Sequence, residues 1–187
     1  MSEPAKKKAT YEDLQAVPDD LVGEIIDGEL VTTPRPSVRH ALAASALGGR
    51  LLPAYHLGEG GSGGGWVILS ETEIKLGEHL LVPDLAGWRR ERFPGLPDEN
   101  WIDVSPDWVC EILSPRTFRV DKVRKMPIYV RHQVQHLWMI DPMSKSLEVF
   151  GLGEDKWYLL GVFTENDRVR AEPFVEVEIE LGSLWWE

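Results

Sequence analysis

Apolar and polar positions along the chain switch between a period of two and a period near 3.6, the marks of strand and helix respectively. Gly23 to Val31 reads as a β-hairpin, because Asp27-Gly28 supplies the positive φ angles of a two-residue turn between apolar flanks. Ahead of it, Tyr11 to Val17 is expected as a short helix with Thr10 as N-cap. Ser37 caps a longer helix, Val38 to about Tyr55, with Leu42, Ala46, Leu47 and Leu51 as its apolar stripe. Gly58 to Gly65, six glycines in eight positions, reads as a mobile loop without the Lys-Ser/Thr ending of a phosphate cradle. Strands follow at Trp66 to Leu69, Glu73 to Leu76 and Leu80 to Trp88, then a loop from Arg89 to Trp101.

The run Trp108-Val109-Cys110-Glu111-Ile112-Leu113, closed by Ser114-Pro115, reads as a buried strand holding one carboxylate. Strand alternation sets Glu111 on a face with Val109 and Leu113, and Trp108, Cys110 and Ile112 on the other. A charge in such a run has to be paired, metal-bound or at an edge. Val120 to His132 is expected as a helix that Pro127 either kinks or truly begins. His136 to Ile140 is another strand, Leu147 to Leu152 and Trp157 to Phe163 form a meander, and Phe174 to Leu181 alternates Val/Ile with Glu as a half-exposed strand. Leu184-Trp185-Trp186 is read as a core or edge plug, or else as a partner-binding patch.

Composition narrows the setting. With 187 residues, 43% of them hydrophobic and eight of them tryptophan, the chain is expected to be one domain, 11–187, behind a frayed tail, 1–10. The lone cysteine, Cys110, excludes an internal disulfide framework and fits a reducing cytoplasm; it reads as a small buried hydrophobe, since no base adjoins it. No run is long enough for a membrane span or a secretory signal, so a soluble cytoplasmic protein is expected. A net charge of −11 excludes a general nucleic-acid coat and confines any phosphate contact to a local patch. Arg116, Arg119, Lys122, Arg124, Lys125 and Arg131, with only Asp121 opposing them in sequence, are either that patch or a solvated helix face.

Two acids on separate strands, Asp84 and Glu111, with a lysine on the next helix, suit metal-assisted phosphodiester hydrolysis: hard oxygens hold Mg²⁺ or Mn²⁺, and an ammonium group orients water or steadies the oxyanion. Spacing alone leaves ordinary ion pairing open for each acid, and for the i,i+4 pair Asp121 and Lys125.

The wording around these acids goes further. Glu24-Ile25-Ile26-Asp27-Gly28-Glu29-Leu30, His40, Val82-Pro83-Asp84, Val109-Cys110-Glu111-Ile112-Leu113-Ser114-Pro115-Arg116-Thr117, then Asp121, Lys125, Tyr129, Val134 and Leu137-Trp138-Met139-Ile140-Asp141-Pro142 resemble the Uma-two family, a bacterial branch of the PD-(D/E)XK nuclease superfamily. The resemblance implies an α/β (α+β) restriction-endonuclease-like fold: a mixed β-sheet flanked by helices, with extra antiparallel strands at the N-terminal hairpin and the C-terminal meander. It implies Asp84 and Glu111 as ligands of Mg²⁺ or Mn²⁺, with Glu24 near the same ion. Leu113 stands where the superfamily usually has its lysine, two residues beyond the second acid; Lys125 fits a lysine moved to the following helix, and Lys122 competes for that role. His40, Asp121, Lys122 and Arg116 are expected to support the acids or hold a phosphate, while Tyr129 and Trp138 read as core packing more than base stacking. The implied function is a Mg²⁺-dependent endonuclease that hydrolyses DNA phosphodiester bonds by a metal-activated water, as a homodimer if it cuts both strands. The alternative is a restriction-endonuclease-like binding or assembly module without turnover.

Overall fold

The computed structural model describes residues 7–59, 64–93 and 95–186. Residues 1–6 of the expected tail, 60–63 of the glycine-rich stretch, Pro94 and Glu187 lie outside the described residues. A capping box opens α1 (Tyr11–Gln15): the Thr10 hydroxyl accepts from the Asp13 N–H while the Asp13 carboxylate accepts from the Thr10 N–H. β1 (Leu21–Ile26) and β2 (Glu29–Pro34) form the expected hairpin, with Asp27 and Gly28 both at positive φ, 53° and 76°.

α2 (Val38–Leu51) starts at Ser37, whose Oγ accepts from the His40 N–H. Its buried face is His40, Ala43, Leu47, Gly48 and Leu51, a turn of the stripe away from Leu42 and Ala46, which stay half-buried at its border. Pro53 falls in the continuation, and Leu52–His56 winds as a π-helical turn that buries Tyr55.

The strands expected at Trp66 to Leu69 and Glu73 to Leu76 form as β3 (Trp66–Ser70) and β4 (Ile74–Leu76), whereas the third divides into β5 (His79–Leu81) and β6 (Leu85–Arg89). Leu80 to Trp88 is two strands in two sheets, because Pro83 lacks the N–H a ladder needs and Val82-Pro83-Asp84 crosses between them. The four-stranded antiparallel sheet runs β2-β1-β5-β4. The six-stranded sheet runs β10-β9-β8-β7-β6-β3 and includes β7 (Trp108–Ile112), β8 (His136–Asp141), β9 (Ser146–Leu152) and β10 (Trp157–Thr164). It is mixed: β7 and β8 are parallel, joined through a π-helical segment, Val120–Lys125, and α3 (Met126–Arg131). Pro127 therefore sits where the wider winding gives way to a regular α-helix.

β7 is buried along its whole length and feeds both layers of core. Trp108, Cys110 and Ile112 pack with α2 and the C-terminal segments, whereas Val109 and Leu113 pack with Ile128 and Tyr129 of α3. The expected alternation holds, so Glu111 faces the π-helical segment.

The segment expected as a strand at Phe174 to Leu181 is corrected. Only β12 (Ile179–Glu180) pairs, with β11 (Arg168–Val169). Phe174 is instead folded over the large sheet, wholly buried against Tyr55, Trp66, Trp108 and Trp138. Leu184 and Trp185 plug the core, the Trp185 indole N–H donating to the Glu165 carbonyl, while Trp186 is exposed.

Candidate active site

Asp121 and Lys125, four apart in the π-helical segment Val120–Lys125, lie on the face turned toward the sheet, and both are buried. The Lys125 ammonium lies 3.0 Å from Glu111 Oε1, 2.9 Å from Glu24 Oε1 and 3.5 Å from Asp121 Oδ1. Glu24 reaches this point from β1 and also accepts the Val82 N–H at 2.8 Å, tying the hairpin to the crossing segment. The Tyr129 hydroxyl, one α-helical turn beyond Lys125, donates to Glu111 Oε1 at 2.5 Å. Lys125 and Tyr129 thus address the same oxygen.

Asp84 arrives from the opposite side. Its Oδ2 accepts the Ile112 N–H at 2.6 Å, beside Glu111 on β7, and its Oδ1 lies 2.5 Å from His40 Nε2 on α2. Glu24, Asp84, Glu111, Asp121, Lys125 and His40 all line one cavity of about 540 Å³, with Arg35 and Arg116 also on its wall. The four acids outnumber the buried cation.

Burial pushes the Glu111 carboxyl well above the usual range; the Lys125 charge opposes this, and Asp121, Asp84 and Glu24 add to it. Asp121 is raised for the same first reason, again against the pull of Lys125. For Lys125 burial acts downward, but the surrounding Glu111 and Glu24 outweigh it and hold the ammonium well above its ordinary value. His40 is likewise held up by Asp84 against its own burial. The site is an acid-rich pocket around one firmly protonated lysine.

Of the two candidate lysines, Lys125 enters the cavity. Lys122 points elsewhere and pairs with Glu148 on β9 at 2.7 Å. The basic run also meets more acid than the sequence order suggests: Arg124 contacts Asp27, Glu29 and the Ile26 carbonyl, and Arg131 contacts Asp27. These partners come from the hairpin, which lies nearly a hundred positions earlier and so is invisible to local charge counting. Arg116 and Arg119 are exposed, and Arg116 reaches the cavity wall. Trp138 is core, its indole N–H on the Glu172 carbonyl. Cys110 faces the other core layer, its thiol pushed up by burial.

Two contributors were not singled out in the sequence for what they do here. Tyr129 reads as packing from the sequence, although its i+4 spacing from Lys125 and i+8 from Asp121 sets it on the same helix face as both. Arg35, between two prolines, carries no sequence signal for the cavity; its Nε donates to the Asp19 carbonyl, 2.9 Å away.

A family model described as "Putative restriction endonuclease", Uma2, matches residues 9–183. The chain belongs to the Uma2 family. A crystal structure from Anabaena variabilis, described as a "putative nuclease belonging to DUF820", has the same fold: TM-score 0.70 and 23% identity over 95% of this chain and 97% of that one. A search of curated proteins finds no match. The restriction-endonuclease-like mixed sheet implied by the sequence resemblance is the fold observed.

The divalent metal that the sequence resemblance implies can be set against the donors present. Among the described residues no three His, Cys, Asp or Glu side chains converge as a ready cage for a metal ion. Mg²⁺ does not need one, since it keeps several waters and takes one or two carboxylates. Buried hard oxygens suit it, with Asp84, which has no ion pair to Lys125, and Glu111, whose Oε1 is shared by Lys125 and Tyr129, brought together through the Ile112 N–H.

Proposed function

We propose that this Uma2 chain is a Mg²⁺- or Mn²⁺-dependent endonuclease that hydrolyses DNA phosphodiester bonds, with Asp84 and Glu111 as the metal's ligands and Glu24 assisting. One observation carries the reading: Glu24, Asp84, Glu111 and Lys125, from four segments far apart in sequence, line a single cavity. When bound, the ion supplies positive charge that activates water and offsets charge gathering on the phosphoryl oxygens. Lys125, held protonated, serves as a hydrogen-bond donor to the developing oxyanion rather than as a base. His40 and the Ile112 N–H fix both oxygens of Asp84, and Tyr129 fixes Glu111, so neither acid needs to reorient as substrate arrives. Arg116, at the wall, draws the phosphate into an otherwise acidic molecule.

Two measurements test this together. Millimolar Mn²⁺ should raise the melting temperature, because a carboxylate pair preformed in the native state binds metal only there. Asp84→Ala or Glu111→Ala should abolish metal-dependent cleavage of DNA while leaving a folded protein; wild-type cleavage by either variant excludes the mechanism. A second reading, a binding or assembly module without turnover, is favoured by the ion network in which Lys125 already pairs with both Glu24 and Glu111. Absence of any Mn²⁺ shift, with no cleavage by the wild type, selects that reading.

A further inference from the structure

Trp186 is 82% exposed, and its φ of 52° is a left-handed value that a bulky residue rarely adopts. With Arg39, Met143 and Lys145 it lines a hollow of about 270 Å³, half the volume of the cavity that holds the acids. Among the described residues no ring or cation stacks on the Trp186 indole, and Arg39 pairs with no carboxylate; its Nη1 rests 3.4 Å from Met143 Sδ. An uncovered aromatic face beside an uncompensated guanidinium is an unusual feature on a chain whose net charge is −11.

The hollow adjoins the cavity. The first turn of α2 stands between them: Ser37 and His40 line the cavity, and Arg39 lines the hollow. The Leu113 N–H donates to the Ile140 carbonyl at 2.7 Å, so β8 ends beside the end of β7 that carries Glu111, and Pro142 and Met143 of the hollow follow directly. The lining itself selects the occupant. A free phosphate would use the arginine and leave the indole bare, whereas an apolar protein side chain would cover the indole and desolvate the arginine without a counter-charge. A nucleotide meets both needs, its base stacking on the ring and its phosphate pairing with the guanidinium.

We propose that this hollow binds a nucleotide adjoining the scissile phosphate, its base on Trp186 and its phosphate on Arg39, and that the substrate strand is unpaired there. Bases inside a duplex are covered on both faces by their neighbours in the stack, so only a single-stranded or locally opened substrate offers one to the indole. The inference rests on the reading of the cavity as a DNA site, and its assay is binding, which needs no turnover.

Fluorescence anisotropy of the full chain with a labelled single-stranded oligodeoxynucleotide, in Ca²⁺ at low salt, should show Trp186→Ala binding about tenfold more weakly than wild type, with Trp186→Phe close to wild type. Wild type should lose about the same factor on an abasic strand of equal length, a comparison that leaves the protein unaltered, and there Trp186→Ala should cost nothing more. On a blunt duplex Trp186→Ala should bind as wild type does. Arg39→Ala should lower the slope of log affinity against log salt by about 0.7, the value for one phosphate of a single strand. Equal single-strand binding by Trp186→Ala and wild type, a Trp186→Ala loss that persists on the abasic strand or the duplex, an unchanged slope for Arg39→Ala, or a Trp186→Ala effect confined to self-association in sedimentation equilibrium overturns the proposal. Metal-dependent cleavage by the wild type with none of these binding effects overturns it alone; the binding effects without any cleavage overturn the nuclease reading alone.

Discussion

The Lys125 ammonium faces three carboxylates with almost no access to water, which makes it the side chain whose loss matters most. Truncating one partner of a buried ionic network leaves the others uncompensated. Lys125→Met should therefore lower unfolding free energy by about 3–5 kcal/mol, measured by urea denaturation near neutral pH. Glu111 gives the opposite sign. Its carboxyl is raised in the folded protein above the ordinary 4.5, so the native state holds a proton that the unfolded chain has lost. That contribution to stability is fully present below pH 4.5 and is lost as pH rises through the elevated folded value. Asp121 acts in the same direction, and the raised Lys125 titrates only in strong alkali. Metal-free protein should thus lose melting temperature from weakly acid to weakly alkaline pH. Glu111→Gln, which keeps an oxygen for Tyr129 and Lys125 while removing a charge, should flatten that slope and make the folded state about 1 kcal/mol more stable than wild type at pH near 8. Scanning calorimetry across pH checks both.

At the scale of elements, the site depends on two pieces that secondary structure alone would not connect: the β1–β2 hairpin and the π-helical segment. Arg124 joins them, its guanidinium 2.9 Å from the Ile26 carbonyl and within reach of Asp27 and Glu29. The hairpin carries Glu24, and the segment carries Lys125. Arg124→Ala is expected to speed hydrogen exchange at Ile26 to Glu29 and to weaken Mn²⁺ binding severalfold, while the α2 amides keep their protection. The hairpin and its turn were legible because Asp27-Gly28 is a local signal. The break at Val82-Pro83-Asp84 was half legible: Pro83 forbids a continuous ladder, but only the second sheet gives the chain somewhere else to go. The π winding was not legible, since nothing in Val120 to Lys125 distinguishes it from an α-helix until the buried acids fix which side chains must turn inward.

For the whole molecule, a net charge of −11 means that DNA is attracted only where local cations are left over. The fold spends most of the basic run on its own acids, Lys122 on Glu148 and Arg124 on the hairpin, and leaves Arg116 at the cavity. Plots of log affinity against log salt should therefore become shallower by about one for Arg116→Ala and stay unchanged for Lys122→Ala. Fluorescence anisotropy with a labelled duplex, at fixed Ca²⁺ to prevent cleavage, measures both slopes.

By itself the sequence determined what depends on near neighbours: the hairpin turn, the two capped helices, the alternation that put Glu111 on the face opposite Cys110, and the family to which these words belong. It also named the two acids and both lysines. It favoured Lys125 over Lys122, and the tertiary structure puts Lys125 in the cavity; enlisting Tyr129, assigning Arg124 to the hairpin and burying Phe174 where a strand was expected were left to that structure. Each of those outcomes turns on a partner that is not a neighbour in sequence, and the free energy of a buried charge or ring is set by what surrounds it in space, which no local pattern encodes.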